Sequence, residues 1–268
     1  MRCFYEEGAF QPNSTIVLSQ SESQHCVRVM RLRVGDTLQV LDGCGNIASG
    51  MLEQADARAA QVRLQTVTHC PESATALHLA QVIPKGKSMD SIVRKATEIG
   101  ARSIFPLLSE RTEVKLEIDK FAAKCAGWRS YAIEACKQCG SPFLPVIHPP
   151  LSLELFFSKQ AATFSGATWR MIASLEKNAC HLSEYLAQQD APQKQLKQSG
   201  ETTTVTLPRM PKDVIIMIGP EGDFSPDEYA RAEEYQFLPV TLANNVLRSE
   251  TAAVYALSII DYELNRRN

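Results

Sequence analysis

Apolar residues in the first seventy positions of the chain fall in short β-prone runs separated by turn signals. The segment Asp42–Asn46 has the glycine and Asn/Asp content of a hairpin turn. We predict strands at Thr15–Leu18, Thr37–Leu41, Asn46–Leu52 and Ala60–Thr68. The stretch Ser23–Leu32 differs, because arginines are interleaved with its apolar positions, and it predicts a short helix with a basic face.

From residue 77 onward, apolar strand patterns alternate with helical ones. The predicted strands are Leu77–Ile83, Ser103–Leu108, Arg170–Leu175, Val214–Ile218 and Phe237–Leu242. The predicted helices are Ser88–Ile99, Asp119–Gln138, Cys180–Gln188, Pro226–Tyr235 and Glu250–Arg266. Val214–Ile218 is fully apolar, as strands buried in parallel sheets are. The alternation predicts an α/β fold of βαβ units with a parallel sheet.

The change of pattern divides the chain into two predicted domains, residues 1–75 and 76–268. The segment between them, His69–Ala76, is polar and lacks periodicity, as linkers do. A length of 268 residues agrees with about two domains. Gln189–Lys212 is rich in Gln, Lys, Thr and Pro and predicts a surface insertion.

Composition narrows the class of protein. A hydrophobic fraction of 44% with 22% charged residues excludes global disorder. A formal net charge of −2 excludes a strongly basic coat, so any nucleic acid must be held by a local patch. The chain has no apolar run long enough to span a membrane and no signal-peptide pattern. We therefore expect a cytoplasmic protein whose eight cysteines are reduced thiols.

The first candidate ligand-binding loop follows the apolar strand at Val214–Ile218. Gly219 and Gly222 permit tight turns and close approach of a ligand. Ser225, Pro226 and Glu228 then form the pattern of a capped helix start.

This loop is not a nucleotide-phosphate loop, because it lacks the Lys-Ser/Thr pair and carries Glu221 and Asp223, which would repel a triphosphate. It favours a ligand recognised by main-chain groups at the carboxyl end of a strand. A plain strand-to-helix turn is the alternative.

The second segment, Thr241–Ala253, again passes from a strand through a loop into a helix. Arg248 stands at the loop–helix junction, where its guanidinium could hold a phosphate or carboxylate. Taken alone, the segment also fits a helix start with a surface pair between Arg248 and Glu250. Two such loops at strand ends together favour a ligand site.

The two loops resemble signatures of the ribosomal RNA small-subunit methyltransferase E family, of the SPOUT superfamily of S-adenosylmethionine enzymes. Gly219–Glu228 is similar to G-P-E-G-G-F-S-x-x-E, and Leu242–Ala252 to L-G-x-x-I-L-R-x-E-T-A. Further matching segments are His25–Asp36, Asp42–Gly45, Lys85–Gly100, Glu110–Thr112 and Glu134–Gly140. The chain departs from the pattern where it has Asp223 and Ala243 in place of glycines, and Ser141-Pro142 in place of Arg-Asn.

The resemblance implies a PUA-like β-barrel domain in residues 1–75, which would bind RNA, and a SPOUT α/β domain with a trefoil knot in residues 76–268. It implies a homodimer whose S-adenosylmethionine pocket is built from three loops. The implied cofactor-binding residues are Leu175, Ile218, Gly219, Pro220, Glu221, Gly222, Leu242, Val246 and Leu247. The implied RNA-binding residues are Arg28, Arg31, Lys85, Lys87 and Arg111.

The implied activity is methylation of a uridine at N3 in 16S rRNA, within the small ribosomal subunit. Arg248 would position RNA or stabilise negative charge, and Glu250 would orient Arg248 or accept a proton, a structural salt bridge being its alternative role. A related enzyme acting on another nucleotide, or a non-catalytic RNA-binding or assembly factor, remains open. No metal is expected, because Cys136 and Cys139 lie one helical turn apart without two further ligands.

Overall fold

The structure is a computed structural model that describes residues 2–112, 118–164, 167–176, 179–187, 194–198, 201–205 and 210–267. Its contacts divide the chain into two compact units. The first unit contains Met1–Ser73 and Arg129–Pro145, and the second contains Ala74–Trp128 and Val146–Asn268. The first boundary lies close to the predicted one, but residues 129–145 group with the first unit, which the sequence pattern did not indicate.

A five-stranded sheet forms the first unit. Its strands are β1 (Cys3–Tyr5), β2 (Thr15–Val17), β3 (Thr37–Leu41), β4 (Asn46–Gln54) and β5 (Gln61–His69). They are ordered β1-β3-β4-β5-β2, with β1 and β3 parallel and the other pairs antiparallel. The four predicted strands are confirmed, and β1 is an addition. Its core includes Phe4, Leu18, Val40, Leu52, Val62 and Leu64.

The predicted basic helix lies three residues earlier than the sequence indicated. Helix α1 (Gln20–Gln24) continues as a π-helical turn over His25–Val29, so the predicted end at Leu32 is wrong. Arg31 adopts a left-handed conformation with φ of 55°, and the Leu32 amide donates to the Cys26 carbonyl at 3.1 Å. This bond across a left-handed residue is the geometry in which helices commonly end.

Residues 129–145 are held within the first unit by apolar and ionic contacts. Cys136 is buried in a small cluster with Tyr5 and Leu41. The Lys137 ammonium, almost fully buried, lies 2.8 Å from a carboxylate oxygen of Glu22. Because removing one partner of a buried pair leaves an uncompensated charge, this pair ties the segment firmly to its unit.

A parallel sheet forms the second unit. Its strands are β6 (Ala76–Val82), β7 (Ser103–Leu108), β8 (Val146–Ile147), β9 (Leu151–Ser152), β10 (Thr168–Ala173), β11 (Cys180–His181), β14 (Asp213–Ile218) and β15 (Leu238–Thr241). Two further strands, β12 (Lys194–Gln198) and β13 (Glu201–Val205), form a separate hairpin. The order is β11-β15-β10-β14-β6-β7-β8, with β9 also beside β7, and every pair in this sheet is parallel. The predicted parallel sheet is confirmed.

The helices after α1 are α2 (Ser88–Ile99), α3 (Phe121–Cys139), α4 (Leu153–Leu155), α5 (Leu182–Ala187), α6 (Pro226–Glu234) and α7 (Ser249–Arg267). Helix α2 has the predicted bounds and ends at Gly100, whose φ is 96°. Helix α6 begins with the predicted capping box, in which Ser225 and Glu228 each bond the other's backbone amide. Helix α7 packs on α2, β6 and β14.

Two predicted segments differ from the structure. Cys180 and His181 pair with β15 as a short strand before α5 begins, so the helix predicted from Cys180 starts late. The predicted insertion Gln189–Lys212 contains the hairpin β12–β13, and its remaining residues before 210 lie outside the described part of the chain. In the described part, no helix has the length and apolar character that crossing a bilayer requires.

Candidate functional site

A cavity of about 480 Å³ lies in the second unit, where the loops after β10, β14 and β15 meet. Because β10 pairs with both β14 and β15, the carboxyl ends of the three strands share one edge of the sheet. The lining residues are Ala173, Ser174, Leu175, Ile218, Gly219, Pro220, Glu221, Asp223, Thr241, Leu242, Ala243, Asn244, Asn245, Val246, Leu247, Arg248, Ser249 and Ala252. The structure thus brings the two sequence-predicted loops together with a third.

The loop after β14 is a tight turn at the cavity wall. The Asp223 amide donates to the Pro220 carbonyl at 3.0 Å, and Asp223 itself has a φ of 60°. A side chain on Gly219 would come within 3.1 Å of the Phe224 ring, which is buried directly behind it. Glycine at position 219 therefore allows the buried phenylalanine to support the loop from below while the loop faces the cavity.

A chain of hydrogen bonds fixes this loop to the start of α7. The Ser249 hydroxyl donates to the Gly219 carbonyl at 2.8 Å and accepts from the Gln81 side-chain amide at 2.9 Å. Gln81 lies on β6 and is fully buried, as Ser249 nearly is. The same Gln81 nitrogen also donates to the Val82 carbonyl. Buried polar groups linked in this way hold one geometry, because a missing partner would leave the others unsatisfied.

Replacement of Ser249 by alanine is expected to lower the free energy of unfolding by about 1–2 kcal/mol, because it leaves the Gly219 carbonyl and the Gln81 amide without their shared partner. Urea unfolding followed by circular dichroism measures the change. Ser249→Thr, which keeps the hydroxyl, is the matched control and should lose less. Equal stability of the alanine variant and the parent would contradict a structural role for the chain of bonds.

Arg248 lies on the cavity wall with an exposed side chain. Among the residues that the structure describes, none forms a hydrogen bond or ion pair with its guanidinium, so its donors face solvent and the cavity. Glu250, in the first turn of α7, is half-buried and is not part of the lining. An uncommitted guanidinium at the mouth of a cavity can bind an anion or stabilise one that forms there.

Nearly all predicted cofactor residues lie around the cavity. Leu175, Ile218, Gly219, Pro220, Glu221, Leu242, Val246 and Leu247 line it, and Gly222 does not. The Gly222 carbonyl instead accepts a hydrogen bond of 2.8 Å from the Arg111 guanidinium. The Glu110 amide donates to Glu228 at 2.7 Å, at the start of α6. Residues 110–111 therefore support the loop after β14 from outside the cavity.

The predicted RNA-binding residues occupy separate places. Arg28 and Arg31 are exposed on the first unit, near the end of the helix that begins with α1. Lys85 and Lys87 are exposed on the second unit, before α2, and the Lys85 amide donates to Glu221 at 3.2 Å. Arg111 is exposed and bonded to Gly222, so its guanidinium already has an internal partner.

Several residues of the site carried weak sequence signals. Gln81 is a polar residue in an otherwise apolar strand, a pattern that could have indicated a buried hydrogen-bond role. Asp223 was visible as a departure from the family signature, but its neighbour Tyr229 lies one turn into α6 and carried no signal. The phenol of Tyr229 donates to Asp223 at 2.8 Å. Ser249 lies between two charged residues, Arg248 and Glu250, and the sequence pattern gave no sign of its own role.

The described residues offer no metal site. No group of three or more histidine, cysteine, aspartate or glutamate side chains in that part of the chain is arranged to hold an ion. Cys136 and Cys139 lie one turn apart at the end of α3, and burial raises the pKa of Cys136 to about 12. Such a thiol stays protonated near neutral pH and is a poor metal ligand.

Comparison with known proteins places the fold and site in one class. Residues 71–261 match a model described as an RNA methyltransferase domain, and residues 18–65 match an RNA methyltransferase PUA domain. These matches and the three-loop cavity define an RNA methyltransferase with a PUA-like domain and a parallel α/β domain.

Full-length relatives narrow the class further. The chain is 31% identical to ribosomal RNA small subunit methyltransferase E of Synechocystis, over 92% of this chain and 73% of that protein. It therefore belongs to the ribosomal RNA small subunit methyltransferase E family.

Solved structures of similar proteins include methyltransferases with the same fold. A methyltransferase from Legionella pneumophila, solved in complex with the bound cofactor S-adenosylmethionine, is 30% identical with a TM-score of 0.82, and 97% of each chain is covered. The ribosomal RNA small subunit methyltransferase E of Neisseria gonorrhoeae, also bound to S-adenosylmethionine, is 25% identical with a TM-score of 0.80, covering 98% of this chain and 97% of that one.

Proposed function

We propose that this protein transfers a methyl group from S-adenosylmethionine to N3 of a specific uridine in 16S rRNA. The observation that carries the proposal is the cavity at the edge of the parallel sheet, lined by three loops and flanked by the uncommitted Arg248. The family to which the chain belongs and the cofactor present in its solved relatives support it.

The cavity fits the cofactor in size and chemistry. Its volume of about 480 Å³ lies within the roughly 300–1,000 Å³ of small-molecule sites. Apolar side chains such as Leu242 and Val246 offer contact for an adenine ring, and loop main-chain groups offer hydrogen bonds. Bound there, S-adenosylmethionine supplies an electrophilic methyl group on a sulfonium centre. The residues proposed to hold it are Leu175, Ile218, Gly219, Pro220, Glu221, Leu242, Val246 and Leu247, with Gly222 keeping the loop in place.

The rest of the chemistry falls to the protein. The N3–H of uracil is a weak acid, so the transfer requires that its proton be removed or its anion be stabilised. Arg248, on the cavity wall, is proposed to stabilise that charge or to hold a neighbouring RNA phosphate. Glu250 is close in sequence and is proposed to orient Arg248 or accept the proton. Because N3 lies on the pairing edge, the base must be unpaired or flipped outward.

The first unit is proposed to bind rRNA. Residues 1–75 would form the PUA-like barrel domain, and residues 76–268 the SPOUT domain with its trefoil knot. Arg28 and Arg31 present exposed cations on the first domain, and Lys85 and Lys87 do so on the second. With a net charge of −2, such local clusters are the means of contact with phosphates. We propose a cytoplasmic homodimer that acts on the small ribosomal subunit, with Arg111 acting mainly through Gly222.

Mass spectrometry of 16S rRNA from a strain lacking this protein is expected to show the loss of one N3-methyluridine, restored by the wild-type chain. Loss of a different modified nucleotide would indicate a related enzyme with another target. If every modification persists, the enzymatic proposal is wrong. Titration calorimetry with S-adenosylmethionine separates these outcomes from a non-catalytic binding protein, which would bind no cofactor.

A further inference from the structure

Asp223 brings a carboxylate to the wall of the cavity at a position where the family signature has glycine. Its Oδ1 lies about 3.5 Å from the place that a side chain on Gly219 would occupy, so the carboxylate stands over the first glycine of the loop. The Tyr229 hydroxyl donates to the same oxygen at 2.8 Å. One carboxylate oxygen is thus fixed by Tyr229, and the other has no hydrogen bond from a described residue.

The backbone at Asp223 has a conformation that residues other than glycine seldom adopt. Its φ of 60° lies in the left-handed region, which Asp and Asn tolerate better than most residues but at a cost that glycine does not incur. Unusual backbone conformations of this kind concentrate at functional sites. The aspartate therefore occupies a position where glycine would suit the backbone better, so the backbone conformation does not account for its carboxylate.

Among the residues that the structure describes, three charged side chains line the cavity, and they differ in the contacts that they make. Glu221 accepts a hydrogen bond from the Lys85 amide, and Arg248 is exposed at the mouth. No described basic side chain pairs with Asp223. Burial raises the pKa of the Tyr229 phenol above its usual range, so it remains a donor that fixes the carboxylate. The Asp223 carboxylate is therefore oriented in the cavity, and no basic side chain of the described residues forms an ion pair with it.

We propose that Asp223 is a charge-selecting residue of the cofactor cavity, whose carboxylate attracts a positively charged group of S-adenosylmethionine. The inference rests on the proposed function, since it assumes that the cofactor occupies this cavity. S-Adenosylmethionine carries two cationic groups, the sulfonium and the α-ammonium. The reaction product S-adenosylhomocysteine retains the ammonium alone, and 5′-methylthioadenosine carries neither. The three ligands share the adenosine portion and differ in cationic charge.

Titration calorimetry of the full-length protein with these three ligands tests the proposal. Asp223→Asn is the central variant, because asparagine tolerates the left-handed backbone and keeps an acceptor for Tyr229 while removing the charge. It is expected to weaken S-adenosylmethionine binding about fivefold or more, as loss of a charge-assisted contact does, and to leave 5′-methylthioadenosine binding unchanged. Asp227→Asn, which removes an exposed carboxylate of α6 that does not line the cavity, is the matched control and should change neither.

The product ligand identifies the cation involved. A loss shared by S-adenosylhomocysteine supports pairing with the ammonium, and a loss confined to S-adenosylmethionine supports pairing with the sulfonium. Equal weakening of all three ligands would show that Asp223 acts on the shape of the loop, and unchanged binding of S-adenosylmethionine would show no role; either result overturns the inference. Failure of the wild-type protein to bind any of the three would instead overturn the proposed function itself.

Discussion

Replacement of Arg248 by alanine is expected to reduce methyl transfer by about a hundredfold or more and to leave S-adenosylmethionine binding nearly unchanged. Removing one preorganised donor from a site of developing negative charge typically costs about 10²–10³ in turnover. The guanidinium has no partner among the described residues, so its loss should not disturb the fold. Single-turnover assays on small subunits that lack the modification measure the chemical step, and calorimetry measures cofactor affinity.

Two controls separate charge from position in this experiment. Arg248→Lys keeps the charge but not the planar fork of donors, so it should recover part of the activity if charge is sufficient and little if bidentate geometry is needed. Glu250→Gln tests the neighbouring carboxylate without removing its hydrogen-bonding capacity. Full turnover by the alanine variant would exclude Arg248 from the mechanism, and a parallel loss of cofactor affinity would assign it to cofactor binding instead.

The elements that sequence predicts well are those whose signals are local. Helix α2 has its predicted bounds because its apolar periodicity ends at Gly100, a residue suited to a left-handed helix end. The start of α6 follows from a serine and a glutamate at capping positions with a proline at the first helical position, and both capping hydrogen bonds form within four residues. Strand β14 follows from an uninterrupted apolar run that is fully buried.

The elements that sequence misses depend on distant partners. Strands β1, β8 and β9 are only two or three residues long, too short for an alternation to be recognised. Their strand character comes from pairing with β3 and β7. The grouping of residues 129–145 with the first unit likewise depends on a pair between Lys137 and Glu22, which are 115 positions apart in the chain. The hydrophobic periodicity of a helix does not indicate which of the two units the helix packs in.

The same distinction applies to the candidate site. Its loops could be located from sequence because glycines and helix starts follow apolar strands at Gly219 and Arg248. Which loops meet could not be read locally, because it depends on β10 lying between β14 and β15. The internal hydrogen bond of Arg111 could not be predicted from local sequence for the same reason. Its RNA-binding role is implied by the family resemblance and stays a prediction, and the fold adds a hydrogen bond from its guanidinium to the Gly222 carbonyl.

Replacement of Gly50 by alanine is expected to lower the free energy of unfolding by about 3 kcal/mol, as overpacking of a rigid position does. Gly50 lies in β4 at a shift in the register with β5. A methyl group there would meet the Arg63 carbonyl oxygen at 2.6 Å and a Val62 methyl at 2.9 Å. Because the oxygen belongs to the backbone of the paired strand, the strand itself must move, and the hydrogen bonds of the β4–β5 ladder move with it.

Gly127→Ala in α3 provides the matched control, because it makes the same chemical change where no described residue other than its chain neighbours and the backbone of its own helix has an atom within 4 Å of the added methyl. Alanine at an exposed helical position is favoured over glycine by up to about 1 kcal/mol, so this variant should gain stability. Urea unfolding of both variants therefore tests whether the same glycine-to-alanine change lowers the free energy of unfolding at position 50 and raises it at position 127. Equal stability of Gly50→Ala and the parent would mean that β4 and β5 do not approach closely at this point. Loss of stability in Gly127→Ala would mean that the face of α3 at this residue is packed, because only a covered methyl could make alanine the worse residue there.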